Sequence, residues 1–205
     1  MKGAEVMRKS SSILAGMLLC TALSGCVSFG GKAPAQLLSL SSDARVAAGT
    51  VRTGGSGTSI TVLPPETPKQ LDTVRVPVQV DAVSVAYVKD AQWVDSPRQM
   101  FQHLLSETIA AGGNAIVLDP GQYSADPGRR LFGVLIDFGI DARTNSAIVT
   151  YDATFAPVGG QPVQRKRFSA SVPVGAIDAT SVGNPINQAA NKVAGEVAAW
   201  VGVAN

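Results

Sequence analysis

Charge is scarce in this chain of 205 residues, with Asp, Glu, Lys and Arg making up only 16%, against about 25% in an average soluble domain. Apolar residues make up 45%. That balance excludes a disordered chain, which is poor in apolar residues and rich in charge. Histidine occurs once, as His103. Multi-histidine metal sites are therefore excluded, and a Ser-His-Asp triad could be built only around that residue. No Gly-x-x-x-x-Gly-Lys phosphate loop is present, so the chain is not an ATPase. No Gly-x-Ser-x-Gly elbow is present either, which weighs against an anchored hydrolase. With 21 Gly and 12 Pro, many turns and few long helices are expected.

The net charge of +2 is uneven. Residues 1–25 carry Lys2, Arg8 and Lys9 against Glu5, and the remaining residues hold fourteen basic and fourteen acidic side chains. A neutral body leaves no electrostatic footprint for nucleic acid. The basic start is followed by an apolar run from Ile13 to Ala22, far short of the ~20 residues of a spanning helix. A charged start, a short apolar run and small residues make a removable secretory signal. Next comes Leu23-Ser24-Gly25-Cys26, which resembles the bacterial lipobox. That resemblance implies cleavage before Cys26 and acylation of its thiol and amine, with palmitate-type chains in the outer leaflet of a membrane. Val27 stands where such lipoproteins carry Asp for inner-membrane retention, which implies outer-membrane sorting. Cys20 leaves with the signal, so the mature chain has one thiol and no internal disulfide. Met1 and Met7 both remain open as the start. The chain divides into a signal over 1–25, a lipidated flexible tether over 26–34 and a domain over 35–205.

Along the domain, Gln36 to Leu40 predicts a first strand and Ser59 to Leu63 a second, ended by Pro64-Pro65. Val74, Val76, Val78 and Val80 alternate with polar residues, a period-two strand. Pro77 lacks a donor, which places that strand at an edge or makes it end early. The phase shifts at Val83, Val85 and Tyr87, so a turn or bulge is expected near Asp81. Ser96-Pro97-Arg98-Gln99 reads as a helix start with a capping box. Met100, Phe101, Leu104, Leu105, Thr108 and Ile109 follow as a stripe that Gly112-Gly113 ends.

Three longer strands come next. Phe132, Val134, Ile136, Phe138 and Ile140 are expected on one face of the first, opposite Asp137 and Asp141. Ala147, Val149, Tyr151, Ala153 and Phe155 are expected on one face of the second, and Val163 to Val172 returns as the third. Asn184-Pro185 opens a final helix with Ile186, Ala189, Ala190, Val193, Val197, Trp200 and Val201 on its stripe. The fold class expected is α+β, a two-layer sandwich of a mainly antiparallel sheet with two helices on one face.

Val85-Ala86-Tyr87, then Trp93-Val94-Asp95-Ser96-Pro97 before an apolar helix, resembles the ABC-type transport auxiliary lipoprotein component family. The lipobox, Leu37-Leu38-Ser39-Leu40 and the Ala-rich last helix carry the resemblance further, over about Ala35 to Val201. The family more commonly has Ala-Glu-Pro after the Trp, where this chain has Val94, Asp95 and Ser96. An Arg-x-Pro commonly precedes the family's first Val-rich strand, where Asp81 sits near that place here. The resemblance implies a periplasm-facing accessory of an MCE-type ABC system that moves lipids or hydrophobic compounds. Its partners would be the MCE substrate-binding protein, the permease and the ATPase, with the membrane reached through the lipid anchor. It implies no catalysis, no metal and no cofactor beyond the covalent lipid, and leaves a homo-oligomer open. The alternative is an anchored lipoprotein that itself cradles a hydrophobic ligand between sheet and helices.

Each candidate residue has two readings. Tyr87, Trp93 and Pro97 are either partner contacts or structural, and a Trp at such a junction more commonly packs it. Asp137 and Asp141 share a strand face, where paired carboxylates can exchange protons but a wet face also favours charge. Arg165-Lys166-Arg167 could meet phosphate headgroups, with at least two of the three on one side of a strand. His103 reads as a solvated or capping side chain. Loops at Asp90 to Val94 and Tyr123 to Arg130 are the candidate partner-facing segments.

Overall fold

The computed structural model describes residues 36–54, 57–113, 115–121 and 128–203. The signal segment, Leu23, Ser24, Gly25, Cys26, the tether and Tyr123 lie outside them. Seven strands and two helices follow one another: β1 Ser59–Val62, β2 Arg75–Gln79, β3 Val85–Gln92, α1 Pro97–Gly112, β4 Ile116–Leu118, β5 Arg129–Asp141, β6 Ser146–Ala156, β7 Gln164–Pro173 and α2 Gly183–Val203. The fold is α+β with an open sheet, as the alternating patterns require.

The long strand β5 organises the sheet. On one side it pairs with β6 along its whole length, and β6 pairs with β7, both antiparallel. Its other edge is divided: β1 runs parallel to it at Arg129–Leu131, and β2 runs parallel at Ile140–Asp141. β4 extends the first end, parallel to β1, and β3 extends the second, antiparallel to β2. Between the two ends, Leu63 N–H donates to Leu131 O, and Glu66 exchanges bonds with Gly133 and Leu135.

Both helices cover the same face. On β6 the inward residues Ala147, Val149, Tyr151, Ala153 and Phe155 are all fully buried. Phe101 from α1 meets Tyr151 at 5.3 Å and Phe138 at 6.4 Å. Trp200 from α2 meets Phe155 at 6.0 Å and Phe168 at 5.5 Å. Small residues let α2 lie close: Ala189, Ala190, Val193, Ala194 and Val197 are fully buried. Gln102 crosses the layer, its side-chain amide donating to Val62 O at 3.0 Å.

Four local expectations change. The segment from Gln36 forms no strand; it makes a single bridge, Leu38 to Trp93. It then runs as a strap over both helices. Ser41 and Asp43 N–H donate to Asn187 and Asn191 on α2, and Val46 N–H donates to Glu107 on α1, at 2.8–2.9 Å. β2 is flanked on both sides rather than at an edge. Pro77 is tolerated because its missing donor falls where the β3 register shifts, and the β5 ladder begins only at Val78. Gly139 permits this approach, since a Cβ there would stand 2.4 Å from Pro77 O.

A bulge at Ile136 reverses the phase of β5. Leu131 and Leu135 face the core before it, and Phe138 and Ile140 after it, so Phe132 and Val134 turn outward. Finally, Ser96 starts α1 without a side-chain cap, so the capping box does not form; Asp95 instead accepts from Ser96 N–H at 2.6 Å. The expected turn at Asp81 is present, with its carboxylate accepting from Val83 and Ser84 N–H, each at 2.9 Å.

Candidate docking face

Alternation dictates what the second face of the sheet presents. Residues opposite the core positions are Arg75, Pro77 and Gln79 on β2, Val85 and Tyr87 on β3, and Ile148, Thr150, Asp152 and Thr154 on β6. β7 adds Arg165, Arg167, Ser169 and Ser171, and β5 adds Arg130, Phe132 and Val134 before the bulge and Asp137 and Asp141 after it. Neither α-helix packs there, but a single 3-10 turn, Lys69–Leu71, borders its middle with Gln70 and Leu71. The middle is a shallow hollow of mixed lining, with Pro77, Val85, Ile136 and Ile148 beside Gln70, Gln79 and Asp137, and Phe132 is 36% exposed.

Charge on this face is built in braced groups. Asp152 stands between the two arginines of β7: Arg167 donates from Nε at 2.7 Å and Nη2 at 2.6 Å, and Arg165 from Nη2 at 3.0 Å. These bonds, Arg167 first, hold the Asp152 carboxyl down at about 2. Arg143 grips Asp141 with two donors, at 3.0 and 2.7 Å, and holds that carboxyl below its usual range. Arg75 lies over the Tyr87 ring at 3.9 Å, a cation–π contact. The side chains of Arg143, Arg165 and Arg167 remain more than half exposed while those of Asp141 and Asp152 are nearly covered.

The predicted residues separate on this frame. Tyr87 is half-buried on the outer face, whereas Trp93 and Pro97 are buried in the core. Trp93 meets Phe138 at 5.4 Å. In the basic run, Arg165 and Arg167 share the outer face, and Lys166 turns the other way, over Phe168 at 4.9 Å. Asp137 and Asp141 share a face, but each belongs to a different arginine group, Asp137 near Arg167 and Asp141 with Arg143. No proton-sharing pair forms.

His103 is exposed on α1, at a cleft of about 700 Å³ beside the strap. Among the described residues no group of three or more His, Cys, Asp and Glu could hold a metal, and no helix is long and apolar enough to cross a membrane. The Asp152 clamp was not legible in the sequence. Its only signal was the i, i+2 spacing of Arg165 and Arg167, which becomes a site once the β6–β7 register is known.

The sequence profile of the ABC-type transport auxiliary lipoprotein component family matches residues 39–198. The chain belongs to that family. No curated protein matches it. Among solved structures it resembles protein XCC0632 from Xanthomonas campestris, a DUF330 protein, with a TM-score of 0.66, 16% identity and 81% of this chain and 94% of that one covered. An uncharacterized protein follows at TM-score 0.61, 10% identity and 74% and 96% coverage. At these identities the likeness establishes the fold.

Proposed function

We propose that this family member is a Cys26-lipidated, periplasm-facing accessory of an MCE-type ABC transport system, held at the outer membrane and working by protein contact. Membership of the transport auxiliary family carries the reading. Two physical features support contact rather than turnover or carriage. The space between sheet and helices is filled by Trp93, Phe101, Phe138, Tyr151, Phe155 and Trp200. The opposite sheet face carries exposed apolar side chains, among them Phe132 and Val85, interspersed with charged ones, a surface available for protein contact. The system's ATPase and permease would be separate chains.

The alternative, a lipoprotein that binds a hydrophobic ligand, would use a peripheral cleft, either the one of about 460 Å³ lined by Ile109, Val158, Ala198 and Val201 or the one of about 700 Å³ beside the strap, lined by Leu40, Met100, Leu104 and Val117. A pull-down from detergent-solubilised envelopes separates the two. With the anchored protein as bait, the MCE protein and its permease and ATPase should be recovered, and Cys26→Ser should accumulate as uncleaved precursor. Repeated recovery of none of them, with lipid co-purifying instead, would favour the ligand carrier.

A further inference from the structure

We infer that the tip of the β2–β3 hairpin, Val80 to Val85, is the membrane-facing point of the domain and sets its apolar side chains into the lipid surface that holds Cys26. This rests on the reading that Cys26 is lipidated, and adds how the domain stands on the bilayer. Hairpin tips ordinarily carry Gly, Asn and Asp. This one carries Val80, Ala82, Val83 and Val85, all exposed, and Val83 is 91% exposed. Only Asp81 and Ser84 among these six residues are polar.

The tip is tied by its own hydrogen bonds. Val80 N–H donates to Ser84 O at 3.0 Å, and the Asp81 carboxylate accepts from Val83 and Ser84 N–H, each at 2.9 Å. The Gln79 side-chain amide donates to Asp81 O at 2.6 Å and to Ser84 O at 3.3 Å. Lipid offers a peptide group no partner, so a segment that leaves water must bring its partners with it. The same bonds fix the loop, which holds Val83 outward instead of letting it fold back on the sheet.

The chain enters the domain from this end. β2 finishes level with the end of β5, Gln79 opposite Asp141, so the hairpin tip and the β5–β6 turn share one end of the sheet. β3 leads away from that end. The strap enters parallel to it, with Leu38 N–H on Gln92 O at 2.7 Å and Val94 N–H on Leu38 O at 2.8 Å. α2 also runs away from the tip's end, since Trp200 meets Phe155 at the far end of β6, and the strap follows it from Asn187 to Asn191. Gln36 therefore stands on the tip's side of Leu38. Residues 26–35 join it to the lipid, and ten residues span at most ~35 Å.

The size and chemistry of the tip favour lipid over protein. Four small apolar side chains are far less than the about 800 Å² that each partner buries in a standard protein interface. A lipid surface needs no matching shape, and an anchor at Cys26 keeps it within reach. At this end Asp81, Asp141 and Asp178 outnumber Arg143 among the described residues, so the contact rests on the valines and not on attraction to anionic headgroups. Each of these carboxylates already accepts hydrogen bonds, Asp81 and Asp178 from their own turns and Asp141 from Arg143, which lowers what it loses on reaching the headgroup layer. With the tip down, the β6–β7 connection at the far end faces the periplasm.

The test uses the full-length chain in cells. A benzophenone residue, which inserts into the C–H bonds of acyl chains, replaces Ala82 at the tip or Val163, 62% exposed at the far end. Mass spectrometry of the linked peptides reads the adducts, and the N-terminal peptide of the same sample reads acylation of Cys26. Residue 82 should yield phospholipid adducts and residue 163 none. Val83→Asp should cut the adduct at least tenfold with an unchanged melting curve, and Val83→Ile should retain it. A protein adduct at residue 82, a second copy of this chain included, would overturn the inference. So would equal lipid adducts at both positions, an adduct indifferent to Val83→Asp, or no lipid adduct. Acylated Cys26 on a chain whose residue 82 meets no lipid would leave the proposed function standing and remove the membrane-facing tip. Lipid at residue 82 on a chain with unmodified Cys26 would do the reverse.

Discussion

Replacing Phe101 by Ala tests the join between the two layers. The ring is fully buried, and it contacts Tyr151 at 5.3 Å and Phe138 at 6.4 Å, both near edge-on. Truncation removes the ring's transfer free energy and leaves a hole that two other rings can only partly fill. Such a change costs about 3–5 kcal/mol, a large share of the ~5–15 kcal/mol that holds a domain folded. At ~2–4 °C per kcal/mol for a domain of this size, melting should fall by about 10–15 °C.

Urea unfolding of the lipid-free domain from residue 35 should show a lower midpoint with the same slope, since the surface exposed on unfolding barely changes. Two companions sharpen the reading. Phe132→Ala, 36% exposed on the outer face, should shift melting by no more than about 2 °C. Tyr151→Phe should be neutral or stabilising, because the Tyr151 hydroxyl is buried with no hydrogen-bond partner among the described residues and an unsatisfied buried hydroxyl is costly. If Phe101→Ala melted within 3 °C of the parent, or Phe132→Ala cost as much, the phase assigned to the helix and to β5 would be wrong.

The Asp152 clamp makes stability depend on acid. Its carboxyl is held at about 2 in the fold against 3.8 ordinarily, so its contribution is complete above pH ~4–5 and fades as pH falls toward 2. In urea titrations Asp152→Asn should therefore be less stable than the parent at neutral pH, and the gap should close by pH ~2; a gap independent of pH would refute the clamp. The strap is tested at Asn191, whose side chain accepts from Asp43 N–H and donates to Ser41 O, both at 2.9 Å. Asn191→Ala should cost ~1–2 kcal/mol and speed amide exchange from Ser41 to Val46 while leaving β6 protected. Unchanged exchange in that segment would mean that other contacts hold the strap.

Period-two and period-3.6 patterns were enough to place β6, both helices and the two-layer class, because each has one face to bury and one to wet. On β6 every residue expected to face inward is fully buried. The same reasoning misplaced the first half of β5. A bulge is one residue long, and Ile136 is as apolar as its neighbours, so the phase reversal left no mark in composition. Pro77 read as an edge signal because a missing donor is a local fact, whereas the register shift that absorbs it belongs to the pairing with β3. The strap was illegible for a similar reason: Ser41 and Asn191 are 150 residues apart, and amide side chains on a helix carry no sign of what they will hold. The docking face shared this limit, since Arg165 and Arg167 find Asp152 only across a ladder.

The motif residues that suggested the family show why a spacing can persist for two reasons at once. At Trp93 four segments meet. Its N–H donates to Val74 O at 2.7 Å, its neighbours Gln92 and Val94 pair with Leu38, and its ring packs on Phe138 beside the start of α1 at Pro97. Trp93 and Pro97 thus fix the corner where the strap from the N-terminal side enters the domain. Tyr87, six residues earlier on the same strand, points the other way and supports Arg75 on the outer face. Removing the Tyr87 ring would leave that corner intact and free Arg75, whereas removing Trp93 would loosen the strap, β2, β3 and α1 together. One short stretch of β3 therefore joins the corner that receives the N-terminal strap to the face offered to a partner.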